Sequence, residues 1–416
     1  TGEVVTSRID PVTGGISGLT MPDGTQTHLV PLSNSSAMQQ LCIPGSITVG
    51  TNAGNGFISN SQIPAFGKFY GCRLVYLNYD TTAAMTINGA KVSPSPIHAA
   101  PGNNSGSLSW SGFVTFNGTQ AGSVPQAKVG AGGQTIPGVL VSDFVQVTAT
   151  ARTDVVGAPY LLRVATHLND SSIVPTYNGT YYANFNALSG NPGMKNATYV
   201  FAGTLATLTT TGNGTAESGG QQSPTGAIFY YDKPIRSVAC FGDSLFQGGG
   251  GSVSFNGPLD YMTWASYSAG GDLCGAAYCT TGQKTQDSLA VLSAVIPSLK
   301  PTYALIKPLS PNDGLTQANA DTAWGYFLHM VEACRQNNVI PVACTAPMNS
   351  GANWNIVAAQ NAKMMALPAF VRKIDSAALL TPGGSWVSAY NSGDNTHPND
   401  AGSKAWGGLI ASTLKI

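Results

Sequence analysis

The sequence predicts a multidomain chain: an all-β sandwich of jelly-roll-like type, followed by an α/β part built on a parallel sheet. Three observations predict it. Between residues 41 and 230, short β-like runs alternate with clusters of Gly, Pro and Asn, the punctuation of a sandwich or jelly roll. From Ile235 the pattern changes to apolar runs alternating with helical stretches, which a parallel sheet covered by helices on both faces produces. A length of 416 residues suits two or three domains rather than one.

Residues 1–40 carry Asp10-Pro11-Val12-Thr13-Gly14-Gly15 and Met21-Pro22-Asp23-Gly24-Thr25. Pro and Gly at this density give turns and short extended pieces, so the segment reads as a linker or attachment arm. In the 41–230 region the strand candidates include Cys72–Leu77, Phe144–Ala149 and Tyr160–Ala165. Alternation of apolar and polar residues along Val145–Ala149 fits a strand buried on one face. In the 231–416 region the strands include Ser237–Phe241, Tyr303–Ile306 and Val339–Cys344. The helices are Tyr261–Ser268, Gln286–Leu299, Thr322–Gln336, Ile356–Met365 and Ala401–Leu414.

Chemistry concentrates at the ends of these strands. Gly242-Asp243-Ser244-Leu245 follows the apolar run Val238–Phe241 and precedes the glycines 248–251. It places a serine hydroxyl at the carboxyl edge of a sheet, where open α/β sheets keep their reactive groups. Serine there is also a common helix cap, and Gly, Asp and Ser are common turn residues, so the triplet alone decides little. No Lys-Ser or Lys-Thr follows the glycines, which excludes a phosphate loop. Near the end stands Asp394-Asn395-Thr396-His397-Pro398. A serine needs a base to take its proton and a third group to orient that base. Of the five histidines, only His397 has an aspartate three residues before it. His28, His98, His167 and His329 read as structural. Asn312, in Ser310-Pro311-Asn312-Asp313, can offer its amide to an oxyanion, and Gly282, in Thr280–Thr285, can offer a backbone N–H. Asp313 reads as a brace for its loop, and Lys284 as a solvated surface lysine.

These four blocks, in this order, resemble the GDSL or SGNH hydrolase family, whose block residues Ser, Gly, Asn and His fall on Ser244, Gly282, Asn312 and His397. The likeness spans about residues 233–416. It implies a three-layer α/β/α (flavodoxin-like) fold and a Ser244–His397–Asp394 triad. It also implies an oxyanion hole from Ser244 N, Gly282 N and the Asn312 amide, with no cofactor and no metal. Two departures stand out. Ser310 replaces the glycine of the third block, and Tyr278 or Cys279 stands where the second block often has asparagine.

Composition narrows the partners. Only 9% of residues are charged and the formal net charge is +0. That argues against nucleic acid, which needs a basic face, and against an anionic membrane surface. No apolar run is long enough to span a bilayer, so no membrane insertion is expected. Seven cysteines, an odd count without zinc-like spacing, do not suggest a secreted disulfide framework and favour folding in a reducing cytoplasm. The loop after Ser244 is polar, and Tyr261 and Trp264 just beyond it suit stacking on sugar rings. The expected function is therefore removal of O-acetyl groups from a polysaccharide, in a virion tail or extracellular protein such as a phage tail spike or tail fibre. A homo-oligomer is expected with it, a trimer if a tail protein. Three alternatives stay open: a glycan-binding or structural virion protein with an inactive hydrolase domain, a secreted bacterial carbohydrate esterase, and a lipid or thioester hydrolase.

Overall fold

The computed structural model of the chain describes residues 57–95, 108–151, 153, 160–168, 198–202, 205–209, 224–251, 257–314, 316–349 and 353–414, with short strands within 6–40 and at 215–216. The turns expected at 10–15 and 21–25, and His28, Cys42 and His98, lie outside the described residues. Strands β1 (Thr6–Ile9), β2 (Ile16–Thr20) and β3 (Gln26–Thr27) form a small antiparallel sheet.

Two antiparallel sheets follow. The first contains β5 (Phe57–Ala65), β7 (Met85–Ser95), β8 (Gly122–Val124), β13 (Tyr160–Leu168), β14 (Thr198–Ala202) and β15 (Thr215–Ala216), in the order β15-β14-β5-β13-β7-β8. The second orders β11 (Gly138–Val141), β6 (Phe69–Asn78), β16 (Gly226–Tyr231) and β4 (Ser36–Gln40), and β12 (Val145–Gln146) also pairs with β6. The small hairpin β9 (Lys128–Val129) and β10 (Thr135–Ile136) forms a separate two-stranded sheet, and Gln134 beside it accepts a hydrogen bond from Gln286 Nε2 at 2.9 Å. Side chains from both large sheets share one core: Phe69, Leu74 and Phe229 from the second meet Ile87, Val92 and Leu162 from the first. The run expected at Phe144–Ala149 keeps only Val145–Gln146 as strand, because Val147 and Ala149 donate their N–H groups to Tyr70 and Phe69 as single bonds outside a ladder.

The second half is a five-stranded parallel sheet ordered β18-β17-β19-β20-β21, from β17 (Arg236–Gly242), β18 (Leu273–Cys279), β19 (Tyr303–Ile306), β20 (Ile340–Cys344) and β21 (Arg372–Ile374). This is the doubly wound order whose reversal point lies beside the first strand, β17. The apolar run predicts it: Ala239 and Phe241 face one layer, Val238 and Cys240 the other, as a strand covered on both faces requires. One layer holds α3 (Thr285–Leu299), α4 (Gln317–Gln336) and α5 (Trp354–Met365). The other holds α2 (Pro258–Ser268), α6 (Ser376–Leu380) and α7 (Asp400–Leu414). A one-turn helix, α1 (Ser244–Gln247), follows β17 directly.

Helices begin earlier than the apolar pattern predicts, because capping residues start them. Pro258 opens α2, and the Asp260 carboxylate accepts the Gly257 N–H at 3.1 Å. Thr316 Oγ1 accepts the Asn319 N–H at 3.3 Å and starts α4 five residues before the predicted Thr322. The expectation for Trp264 also needs correction. Its ring packs with Tyr267, at 5.7 Å between centroids, against the core of the antiparallel half, and that packing accounts for an aromatic residue here. Tyr261 is wedged on α7, where its Cβ leaves room only for Gly407.

Candidate active site

Ser244 opens α1 and is not its cap. That role falls to Asp243, whose Oδ1 accepts the Leu245 N–H at 3.0 Å. Ser244 is only 7% exposed, and its Oγ lies 2.8 Å from Nε2 of His397. On the far side of the ring, His397 Nδ1 lies 2.5 Å from Asp394 Oδ2. The three expected triad residues therefore form one hydrogen-bonded chain. With Asp394 ionised, the arrangement fixes a proton on Nδ1 and leaves Nε2 as the acceptor for the serine proton.

The Asp394–His397 pair sits in a loop ahead of α7 rather than on a helical turn. Asp394 Oδ1 accepts the N–H groups of Thr396 and His397 and the Ser392 hydroxyl, each at 2.8 Å. Asn395 takes φ +57, and the loop closes where Ser392 N donates to His397 O. Partial burial pushes the Asp394 carboxyl up. The hydrogen bonds from the His397 ring and backbone, Thr396 and Ser392 outweigh it and hold the group well below the usual carboxylate range.

The glycines after Ser244 have a use that the sequence reading missed. A Cβ on Gly249 would stand 3.0 Å from His397 Cδ2 and 3.2 Å from Ser244 Cβ. One on Gly250, which has φ +93, would stand 2.5 Å from His397 Cβ. The absence of side chains there is what lets the imidazole reach the serine.

Gly282 follows β18, which pairs with β17 as Cys279 opposite Gly242. It has φ +80 with open space where a Cβ would point, so backbone conformation and not crowding calls for glycine. Among the described residues, no acceptor is satisfied by the backbone N–H of Gly282 or of Ser244. The Gly282 loop is tied to α1 by the Thr281 hydroxyl, which donates to Gln247 Oε1 at 2.7 Å. Asn312 follows β19, and its Nδ2 donates to Gln283 O at 3.1 Å and Ser310 Oγ at 3.2 Å. The Asn312 amide is thus joined to the Gly282 loop but already has internal partners. Asp313 braces as expected: its carboxylate accepts Thr285 N–H and Oγ1–H at 2.9 and 2.6 Å and Ser310 N–H at 2.7 Å. Burial pushes its carboxyl up despite those bonds.

A second group that the sequence reading missed is Lys307, whose Nζ lies 2.5 Å from Asp243 Oδ2 with side-chain exposures of 3% and 0%. The signal was present as a lone lysine ending an apolar strand, a residue type seldom buried without a partner. Among the described residues no cluster of His, Cys, Asp and Glu could hold a metal, and no helix is long and apolar enough to cross a membrane.

No protein-family model and no curated protein matches the chain. Among solved structures it is similar to a lipase/acylhydrolase from Enterococcus faecalis, at 18% identity and TM-score 0.36, covering 43% of this chain and 95% of that one. It is similar to the acetyl xylan esterase AlAXEase, at 18% identity and TM-score 0.37 over 43% and 99%. It is also similar to a family 3 carbohydrate esterase from Talaromyces cellulolyticus, at 18% identity and TM-score 0.34 over 43% and 96%.

Proposed function

We propose that this protein is a serine ester hydrolase of the SGNH type that removes O-acetyl groups from a polysaccharide. The observation that carries the reading is the hydrogen-bonded chain Ser244–His397–Asp394 at the carboxyl edge of the parallel sheet. His397 Nε2 takes the Ser244 proton as Oγ attacks the ester carbonyl, and Asp394 stabilises the imidazolium that forms. The oxyanion is met by the free N–H groups of Ser244 and Gly282. Asn312 adds a third donor when one of its two long Nδ2 contacts opens. His397 then protonates the departing sugar hydroxyl. Water, deprotonated by the same imidazole, cleaves the acetyl-serine and releases acetate.

What surrounds the serine supports that substrate class. Gly249 leaves no side chain beside Ser244, where an added Cβ would stand 3.2 Å from the serine Cβ, and Thr281 is hydrogen-bonded to Gln247 of the turn. Small and polar neighbours suit a short acyl group on a polar alcohol better than a lipid chain. The antiparallel half is read as a jelly-roll-like sandwich that presents this site to a surface glycan, in a virion tail or extracellular setting. A trimer by light scattering would favour the virion.

The test is hydrolysis of para-nitrophenyl acetate by wild type, Ser244→Ala and His397→Ala. Wild-type turnover lowered by roughly 10⁴-fold or more in both variants supports the reading. Acetate release from an acetylated glycan, against poor cleavage of long-chain esters, then supports the substrate. Equal background rates in all three proteins would favour a glycan-binding module that keeps the hydrolase fold.

A further inference from the structure

Beneath the nucleophile lies a buried network that the triad chemistry does not use. Asp243 is fully buried, and its Oδ2 receives Lys307 Nζ at 2.5 Å and the hydroxyl of Ser310. Ser310, itself 2% exposed, occupies the place where the family resemblance expects glycine. Its Oγ also lies 2.8 Å from Gln283 O. The hydroxyl has one proton to give, and a carboxylate is the stronger acceptor. The proton therefore goes to Asp243. The lone pairs of Ser310 Oγ then accept the backbone N–H of Asn312 at 3.2 Å and its Nδ2 at 3.2 Å.

One carboxylate thereby holds two functional pieces. Through Oδ1 it caps α1, which presents Ser244. Through Oδ2 and Ser310 it fixes the loop that carries Asn312. Lys307 supplies the charge that makes a dry carboxylate tolerable at this point. We infer that Ser310, with Lys307 behind it, is a positioning residue that sets Asn312 relative to the nucleophile. The inference rests on the esterase reading above and adds to it a strut that a glycine cannot form.

The experiment is a double-mutant cycle on kcat for para-nitrophenyl acetate, run well below each variant's Tm. Ser310→Ala should lower kcat about tenfold, the scale of a slightly misplaced catalytic group, with KM within about twofold. In an Asn312→Ala background the same change should cost less than about twofold, because the strut has nothing left to place. Ser310→Gly removes the hydroxyl without adding volume, covers the case where the alanine variant folds poorly, and should match it. Ser310→Thr, which keeps the hydroxyl, should recover part of the rate. An unchanged or raised kcat in Ser310→Ala and Ser310→Gly overturns the inference. So do losses that multiply fully with Asn312→Ala, since they would show Ser310 acting apart from Asn312. A wild type without any ester turnover is a different failure: it removes the esterase reading itself, and the strut with it.

Discussion

Asp243 and Asp394 stand on either side of Ser244 and His397, and they are held in opposite ways. Asp243 is wholly buried, and its partners Lys307 and Ser310 come from 64 and 67 residues away. Asp394 has a side chain 48% exposed, and Ser392, Thr396 and His397 all stand within three residues of it. Ser244 is therefore set through a neighbouring strand end, while His397 is set by a loop that folds on itself. Burial makes the first arrangement costly to break. Solvent screening makes the second cheap in stability, although it matters to the chemistry.

The sharpest way to test that contrast is to remove one partner on the buried side. Lys307→Met should destabilise the protein by about 3–5 kcal/mol, because Asp243 is left as an uncompensated buried charge. Adding Asp243→Asn should recover much of that loss in chemical denaturation. A cost under about 1 kcal/mol for Lys307→Met would mean that water reaches the pair and that the contrast is false. Next comes Asp394→Asn, which should lower ester turnover about 10²–10³-fold while the Tm barely moves. That is less than the roughly 10⁴-fold of a fully buried partner, since water can take part of the role at an exposed site. A large drop in Tm would show that the loop is more than a local device. Gly250→Ala forces a Cβ to 2.5 Å from His397 at φ +93. It should cost about 1–3 kcal/mol of strain and cut turnover more than Ala at Gly270, where nothing crowds the site. The smallest effect is on pH. Asp394 is held below its unfolded range, so its contribution to stability is present above about pH 4 and is lost as pH falls further. Melting curves of wild type and Asp394→Asn should converge toward low pH, and divergence there would reverse the sign.

The legibility of this chain follows the same division. The Asp394–His397 contact could be read because the two residues are close in sequence. β17 could be read because a doubly covered strand is a plain apolar run. Tyr303–Ile306 begins and ends as expected for the same reason. β18 went unread because Leu273–Cys279 is largely small residues, and Gly275 is needed where Leu259 crowds the strand. Lys307 and Ser310 gained their roles only from partners far along the chain, which spacing does not reveal. Trp264 misled because an aromatic residue looks the same in sequence whether it faces a cleft or a neighbouring core. The order β18-β17-β19-β20-β21 matches the flavodoxin-like expectation, since alternation of strand and helix restricts topology strongly.

The outer face of β6 and β16 has a consequence for how this chain can be cut. Val75, Leu77, Ile228 and Tyr230 belong to the same apolar cluster as Phe241, Leu292 and Phe327 of the parallel half. Severing the chain near Asp232 would strip that cluster of one wall and bare an apolar surface on each fragment. Neither piece inherits a finished exterior. Gene truncation that seeks the parallel half alone should therefore yield aggregating material, and polar residues at those four positions would mend only the antiparallel fragment.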